Sequence, residues 1–360
     1  MSAMPAANLA DKRGTLKIFS DGKVAISPAT AWYLSDLGEF RGKQELYTRQ
    51  SPQRLKALRE HALIESAVSS NRIEGVSVEP SRIRDVLVSP KPLFHDRDEE
   101  EVRGYRDALT WIHQDAQHIP ITNETIQRLH AMTRGQIWDA GLYKEKDGDI
   151  IERYPDGSER VRFRTVSARQ TPAAMGQLVA DWQTCLEERW VPSPIALAAF
   201  NLDFLCIHPF RDGNGRVSRL LWLLQSYQLG FEVGRYISLE RLVEQNKDRY
   251  YETLEQSSQG WHEGKHDPWP YINYALFILK TAYREFVERV GETSEPRGSK
   301  TQLVLEVIGR MSGTFSLADL ESACPGVSRD MIRRVLTTQK GQTVDCIGRG
   351  PGALWQKRGN

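Results

Sequence analysis

Cysteine is scarce and scattered. Cys185, Cys206, Cys324 and Cys346 are the four in 360 residues, and no two form a CxxC pair. That spacing excludes a zinc ribbon or a disulfide-stapled scaffold and fits a reducing cytoplasm. Net charge is nearly absent too: 48 Lys and Arg offset 47 Asp and Glu, leaving +1. No whole-chain field draws the molecule to nucleic acid or an acidic membrane, so any nucleic-acid role belongs to a local patch. Long hydrophobic runs are missing. The most apolar region, 194–210, is broken by Asn201 and Asp203 and is too short to cross a bilayer; it reads as a central buried helix. The opening MSAMPAANLADKRG lacks the basic and apolar parts of a signal peptide, so a cytoplasmic protein is expected. Neither a solenoid-type repeat nor a low-complexity tract is found.

What is present is ordinary globular material, 40% hydrophobic and 26% charged, long enough for two or three domains. Residues 15–19 read as a short strand, and the rest up to about 47 shows no clear pattern. From 52 to 74, Leu55, Leu58, Ala62, Ala67 and Val68 recur at helical steps, and Gly75 stands where helices stop. Acidic 96–101 opens another helix, and Thr122-Asn123-Glu124 caps a third that runs to about 134. Residues 148–166 alternate with period two around Pro155-Asp156-Gly157, which predicts a β-hairpin in an otherwise helical chain. Helices are expected after Thr171-Pro172, over 194–207, from 213 or 214 to 227, and over 239–256. Polar 292–299 reads as a linker. Beyond it, 300–360 reads as three helices and a strand–turn–strand with its turn at 349–352, the winged-helix order. The fold class is therefore mainly α, with an N-terminal helical region to about 115, a core over 116–291 and a C-terminal winged-helix-like unit.

Chemistry concentrates in His208-Pro-Phe-Arg-Asp-Gly-Asn-Gly-Arg-Val-Ser-Arg219. A histidine ends the buried helix, and Asp212 follows four residues on. Gly213, Asn214 and Gly215 let backbone amides converge where the next helix presents its N-terminus, and Arg216 and Arg219 share one face of its first turn. Amides, helix end and arginines make a polyanion site. The acid can hold Mg²⁺ shared with phosphates, and His208, with an ordinary pKa near 6.5, can take a proton from a hydroxyl. Gly213-x-Gly215 does not open a dinucleotide fingerprint, because Ser218 holds the third glycine's place and no strand precedes it.

The segment HPFRDGNGRVSR resembles the Fic family signature, His-x-Phe-x-(Asp/Glu)-Gly-Asn-Gly-Arg-x-x-Arg, at every fixed position, and the resemblance spans roughly 122–230. It implies transfer of AMP from ATP to a hydroxyl side chain of a protein. His208 would be the general base, Phe210 the loop's anchor and Asp212 the Mg²⁺ ligand. The amides of Gly213, Asn214 and Gly215 would hold phosphates, with Arg216 toward the β-phosphate and Arg219 on the γ-phosphate. The resemblance also implies a flap that pairs with the target chain, here Arg162, Phe163, Arg164 and Thr165, and sets Asn246 and Tyr250 near the nucleoside. Lys144 stands where many relatives have arginine. A homodimer through the core is compatible with it.

Ser70-Asn-Arg-Ile-Glu74-Gly75 matches the family pattern Ser/Thr-x-x-x-Glu-Gly/Asn that marks an N-terminal inhibitory helix, here about 52–75. A carboxylate at a helix C-terminus meets an unfavourable dipole end, so Glu74 gains from a nearby cation; the resemblance names Arg219, with Ser70 beside it. Two other readings from the residues are a DNA-binding regulator with the core as nucleotide sensor and transfer from another donor, and the resemblance also implies that removal of AMP is open to such a protein. His262-Glu-Gly-Lys-His266 matches HExxH, but Gly260, Gly264 and Pro268 argue for a loop and against zinc. Residues 300–360 carry nine basic and five acidic side chains, with Arg329, Arg333 and Arg334 on the third helix, so this unit suits DNA or protein docking.

Overall fold

A computed structural model describes residues 14–22, 24–48, 52–90, 92–135, 137–153, 156–291, 299–311, 313–324, 327–348, 350 and 352–358. Most of the expected linker, Pro155 of the hairpin turn and Arg349 and Pro351 of the C-terminal turn lie outside them. The described residues are mainly helical. In order they form α1 (Thr15–Phe19), α2 (Pro28–Thr48), α3 (Pro52–Ile73), α4 (Ile83–Val88), α5 (Arg97–Asp115) and α6 (Asn123–Arg134). The hairpin β1 (Ile150–Arg153) and β2 (Glu159–Phe163) follows. Next come α7 (Thr171–Glu188), α8 (Ser193–Ile207), α9 (Asn214–Gln228), α10 (Leu239–Gln245), α11 (Lys247–Ser258) and α12 (Trp269–Gly291). The last stretch holds α13 (Ser299–Arg310), β3 (Thr314–Ser316), α14 (Leu317–Ala323), α15 (Arg329–Gln339), β4 (Val344–Ile347) and β5 (Leu354–Lys357).

Helix α8 is buried on every side and is the axle of the larger core. Its two polar interruptions are both satisfied. Asn201 donates to the Ser218 carbonyl at 2.8 Å, tying α8 to α9. Asp203 accepts from the Thr15 amide (2.6 Å), the Leu16 amide (3.1 Å) and the Trp261 indole (2.7 Å). That acceptor explains why residues 15–19 are a helix and not the expected strand. Two amides of the first turn, normally orphaned, find a buried carboxylate, and Leu16 and Phe19, three apart, are both buried.

Two further expectations are corrected. Residues 28–48, without pattern in the sequence, form a long helix whose start is signalled by Ser27-Pro28: the Ser27 hydroxyl accepts from the Thr30 amide at 3.2 Å. The single helix expected over 239–256 is broken at Asn246, which leaves helical geometry and donates from Nδ2 to the Leu242 carbonyl at 2.8 Å. In the C-terminal stretch the three helices form as expected, but a third strand, β3, precedes α14 and gives the antiparallel order β3-β5-β4. A separate apolar core of Val304, Ile308, Leu320, Ile332 and Leu336 lies beneath it. No described helix is long and apolar enough to cross a membrane.

Replacing Asp203 by Ala leaves three buried N–H donors without an acceptor, at about 1–3 kcal/mol each before relaxation. The expected result is a fall of several kcal/mol in denaturant stability and fast hydrogen exchange across 15–19; native-like protection of those amides would refute the anchoring role.

Candidate active site

The turn from α8 to α9 is fixed from all sides. His208 caps α8 in the left-handed region, φ 54°, which a non-glycine residue holds only when its surroundings impose it. The Asn214 side chain bridges the turn, accepting from the Phe210 amide (2.9 Å) and donating to the Phe210 carbonyl (2.8 Å). Phe210 is buried and stacks on His130 at 3.8 Å. His130 is itself locked in one neutral tautomer: Gly141 N–H donates to Nδ1 (2.9 Å), and Nε2–H donates to the Asp212 carbonyl (3.0 Å). Burial lowers its pKa to about 4.

His208 Nδ1 lies 3.2 Å from the Leu205 carbonyl, which can only accept. Nδ1 therefore carries the proton, and Nε2 keeps the lone pair a base needs. Burial lowers the imidazole's pKa to about 4; the Lys144 cation acts in the same direction, while Glu74 and Asp212 oppose it. The ring is neutral at pH 7.

Beneath the turn lies a charged cluster. Glu101 on α5 is buried and accepts from Arg97 Nε (2.7 Å), Arg134 Nη1 (2.9 Å) and Arg216 Nη1. Arg134 also donates to Asp212 at 2.7 Å, and Arg97 and Arg216 stand 3.7 and 3.8 Å from that carboxylate. Burial works to raise the Asp212 pKa, but the three arginines and the Gly213 amide hold it below the usual range. Asp139 stands 3.9 Å from Arg134 as well, so three guanidinium groups face three carboxylates, and the positive end left at the start of α9 is that of the helix itself.

Glu74 meets that positive end. It lies just past the last residue of α3, where Gly75, φ 82°, closes the helix. Its Oε1 accepts from Arg219 Nη2 at 2.8 Å, while Arg219 also donates to the Ser70 hydroxyl (2.8 Å) and the Ser70 carbonyl (2.9 Å). A Cβ on Gly215 would fall 2.1 Å from that Oε1, so only glycine lets the carboxylate sit over the first turn of α9. Burial alone would lower the Arg219 pKa, yet Glu74, Tyr250 and Tyr105 together outweigh it and the pKa is raised. Arg219 Nη1 is buried with no partner among the described residues.

His208, Glu74, Gly215, Tyr250, Arg162 and Phe163 line one cavity of about 280 Å³. A second, of about 400 Å³, lies against His208, Phe210 and Trp138. Asp212, with 55% of its side chain exposed, faces the arginines. Some expected residues do not reach the cavity. Arg216 is 1% exposed and engaged with Glu101, and Asn246 lines neither cavity. Arg164 presents its carbonyl to His262 Nε2 at 2.6 Å, and Thr165 sits at the hairpin's base. His266 Nε2 faces Thr15 at 2.9 Å, so the two histidines of the HExxH pattern do not converge. No cluster of three or more potential metal-ligating His, Cys, Asp or Glu side chains occurs among the described residues. Asp212 alone suits Mg²⁺ only where phosphate oxygens complete the shell, which is how Mg²⁺ is commonly held. The sequence reading missed Glu101, His130 and Arg134. Their only local signal is the four-residue spacing of Arg97 with Glu101 and of His130 with Arg134.

A buried glycine turn, a helix N-terminus with an arginine beneath it and a neutral histidine beside it form a place whose chemistry suits an anion. Residues 120–225 match the Fic/DOC family. Over those residues the chain carries a Fic-type domain. Protein adenylyltransferase Fic of Drosophila persimilis is 26% identical over 222 residues, 59% of this chain and 39% of that protein, so the chain spans about two fifths of that relative's length. A Fido domain-containing protein of Dictyostelium discoideum is 34% identical over 92 residues, 25% of this chain and 57% of that protein. In fold, the chain is similar to a Fic family protein from Desulfovibrio desulfuricans, with a TM-score of 0.61, 22% identity and coverage of 94% and 98% of the two chains.

The buried histidines set a pH dependence. Folding holds His130 and His266 at about 4 and His113 at about 3, all chiefly by burial, whereas the unfolded chain protonates them near 6.5. Between those values the unfolded state binds more protons, so stability is full above about pH 6.5 and is lost as pH falls toward 4. Thermal melts should show the transition temperature dropping through that window; a flat profile from about pH 7 to 4.5 would contradict it.

Proposed function

We propose that the protein transfers AMP from ATP to a hydroxyl side chain of a protein, itself included, and that Glu74 holds this activity back. One observation carries the reading: a carboxylate already occupies the anion position over the first turn of α9, paired with Arg219. A terminal phosphate has the same charge and the same preferred partners. With Glu74 in place Arg219 is engaged and the phosphate is displaced; with Glu74 withdrawn, the Gly213–Gly215 amides and Arg219 receive the phosphate chain. Mg²⁺, held by Asp212 together with phosphate oxygens, would supply charge neutralisation there. His208 Nε2 accepts the hydroxyl proton as the oxygen attacks the α-phosphorus and pyrophosphate leaves. Tyr250 closes the nucleoside side of the cavity, and β2 offers its edge to the acceptor chain. On this reading the N-terminal region to about 115 carries the inhibitory helix, 116–291 is the catalytic core and 300–360 is a winged helix.

Glu74→Gly should label itself with ATP-derived AMP far more than the wild type, since a preference of only about 1.4 kcal/mol is tenfold in population. Glu74→Gly with Arg219→Ala should lose the gain. Equal labelling by wild type and Glu74→Gly at saturating ATP would remove the brake. In the Glu74→Gly background, His208→Ala should cut transfer by at least about 10²-fold while ATP still binds. Undiminished transfer would end the base assignment.

The C-terminal unit supports a second role. Arg333, Arg334, Thr337 and Thr338 are exposed along α15, a helix suited to the major groove. Arg333→Ala with Arg334→Ala in the full chain should weaken duplex-DNA binding and flatten its salt dependence without changing self-labelling of the Glu74→Gly protein. Absence of salt-sensitive DNA binding by the unmodified chain would overturn the groove-binding role and favour docking to protein.

A further inference from the structure

Lys144 is buried between the flap and the active-site turn, with no ion-pair partner among the described residues. Its Nζ donates to the Thr165 hydroxyl at 2.8 Å and to the Ile207 carbonyl at 3.2 Å. Its backbone amide donates to the Pro209 carbonyl at 2.8 Å. One residue thus grips the peptide unit entering His208 and the one leaving Pro209. Thr165, in turn, donates to the Gly148 carbonyl, which closes the base of the hairpin. The chain Gly148–Thr165–Lys144–Ile207 is a continuous path from flap to imidazole.

Two physical facts make the tie more than packing. His208 holds φ 54°, a conformation that relaxes unless the flanking peptides are restrained, and Lys144 supplies a restraint on each side. A buried ammonium without a carboxylate is also unfavourable, and burial lowers the Lys144 pKa to about 8, with Asp147 and Asp149 opposing the shift. An apolar residue would fill the space without that penalty.

We propose that Lys144 is a positioning residue that couples the flap to the His208 turn, so that an acceptor segment on the flap and the base that deprotonates it keep one geometry. The catalytic consequence rests on the transfer reading above, whereas the coupling does not. Lys144 also places a cation near His208. The charged groups that bear most on that ring are Lys144 from the segment after α6, Glu74 at the end of α3 and Asp212 from the turn itself, with Arg162 and Arg211 lining the cavities beside it, so removing Lys144 takes away the cation that acts most strongly on it.

The test combines hydrogen exchange of the hairpin amides with an NMR titration of His208, neither of which needs transfer to occur. In Lys144→Met, amides of 150–153 and 159–163 should exchange about tenfold faster, the scale of one hydrogen bond to a charged group, and the His208 midpoint should rise. Thr165→Val should speed exchange and leave the His208 midpoint in place. Lys144→Arg, which keeps charge and donors, should restore both readouts toward wild type. Flap exchange within about twofold of wild type in Lys144→Met, or an unmoved His208 midpoint there, overturns the proposal. Should Lys144→Met not fold, Thr165→Val decides alone, with unchanged flap exchange as the refuting result. A failure of AMP transfer with these readouts as expected would count against the transfer reading and leave the coupling intact.

Discussion

The start of α9 is a buried helix N-terminus, and the site depends on how its positive charge is compensated. Unpaired amides and the arginines of the first turn create a potential that water cannot fully screen there. Glu101 answers it from below and Glu74 from above. The two carboxylates differ in kind. Glu101 is buried among three arginines, and removing one member of such a cluster exposes the others at a cost of several kcal/mol. Glu74 keeps 29% of its side chain exposed and sits at the end of its helix, so it can leave without opening the core. One acid belongs to the framework; the other occupies a place that a ligand can take.

That difference explains the local restrictions. Gly215 is required because the carboxylate above it occupies the space of a Cβ. Asn214 is required because its side chain closes the turn with two hydrogen bonds to Phe210. Ser70 matters because its hydroxyl and carbonyl accept from Nε and Nη2 of the same guanidinium that pairs with Glu74. Glycine, asparagine and serine are usually read as turn formers. Here each fixes the position of a charge.

The parts of this site that were legible in the sequence are those that lie together in it. His208 to Arg219 occupies one turn and one helix start, so spacing alone brought His208, Asp212 and the Gly213–Gly215 backbone together. Ser70 and Glu74, four apart, were legible for the same reason, although their partner lies 145 residues away. Glu101, His130 and Arg134 were not, because they sit on α5 and α6 and converge only through packing. Asn246 lines neither cavity for a related reason: an unbroken helix would have carried it onto the face of Tyr250, but the chain breaks at Asn246 itself. The strand expected at 15–19 failed because Asp203, 188 residues on, supplies the amide acceptor that makes a helix the better choice there.

Long-range acceptors and donors also decide how the catalytic turn and the flap relate. A base must meet its proton donor at hydrogen-bond distance, and an acceptor chain held on a hairpin edge brings no such accuracy by itself. Accuracy has to come from the connection between hairpin and turn. In this chain the connection is a lysine with hydrogen bonds to both, not an apolar contact that slides. The same ammonium favours a neutral imidazole beside it. On the proposed coupling one side chain bears on both the geometry of the turn and, beside burial, the neutrality of the imidazole, so a substitution there disturbs both together.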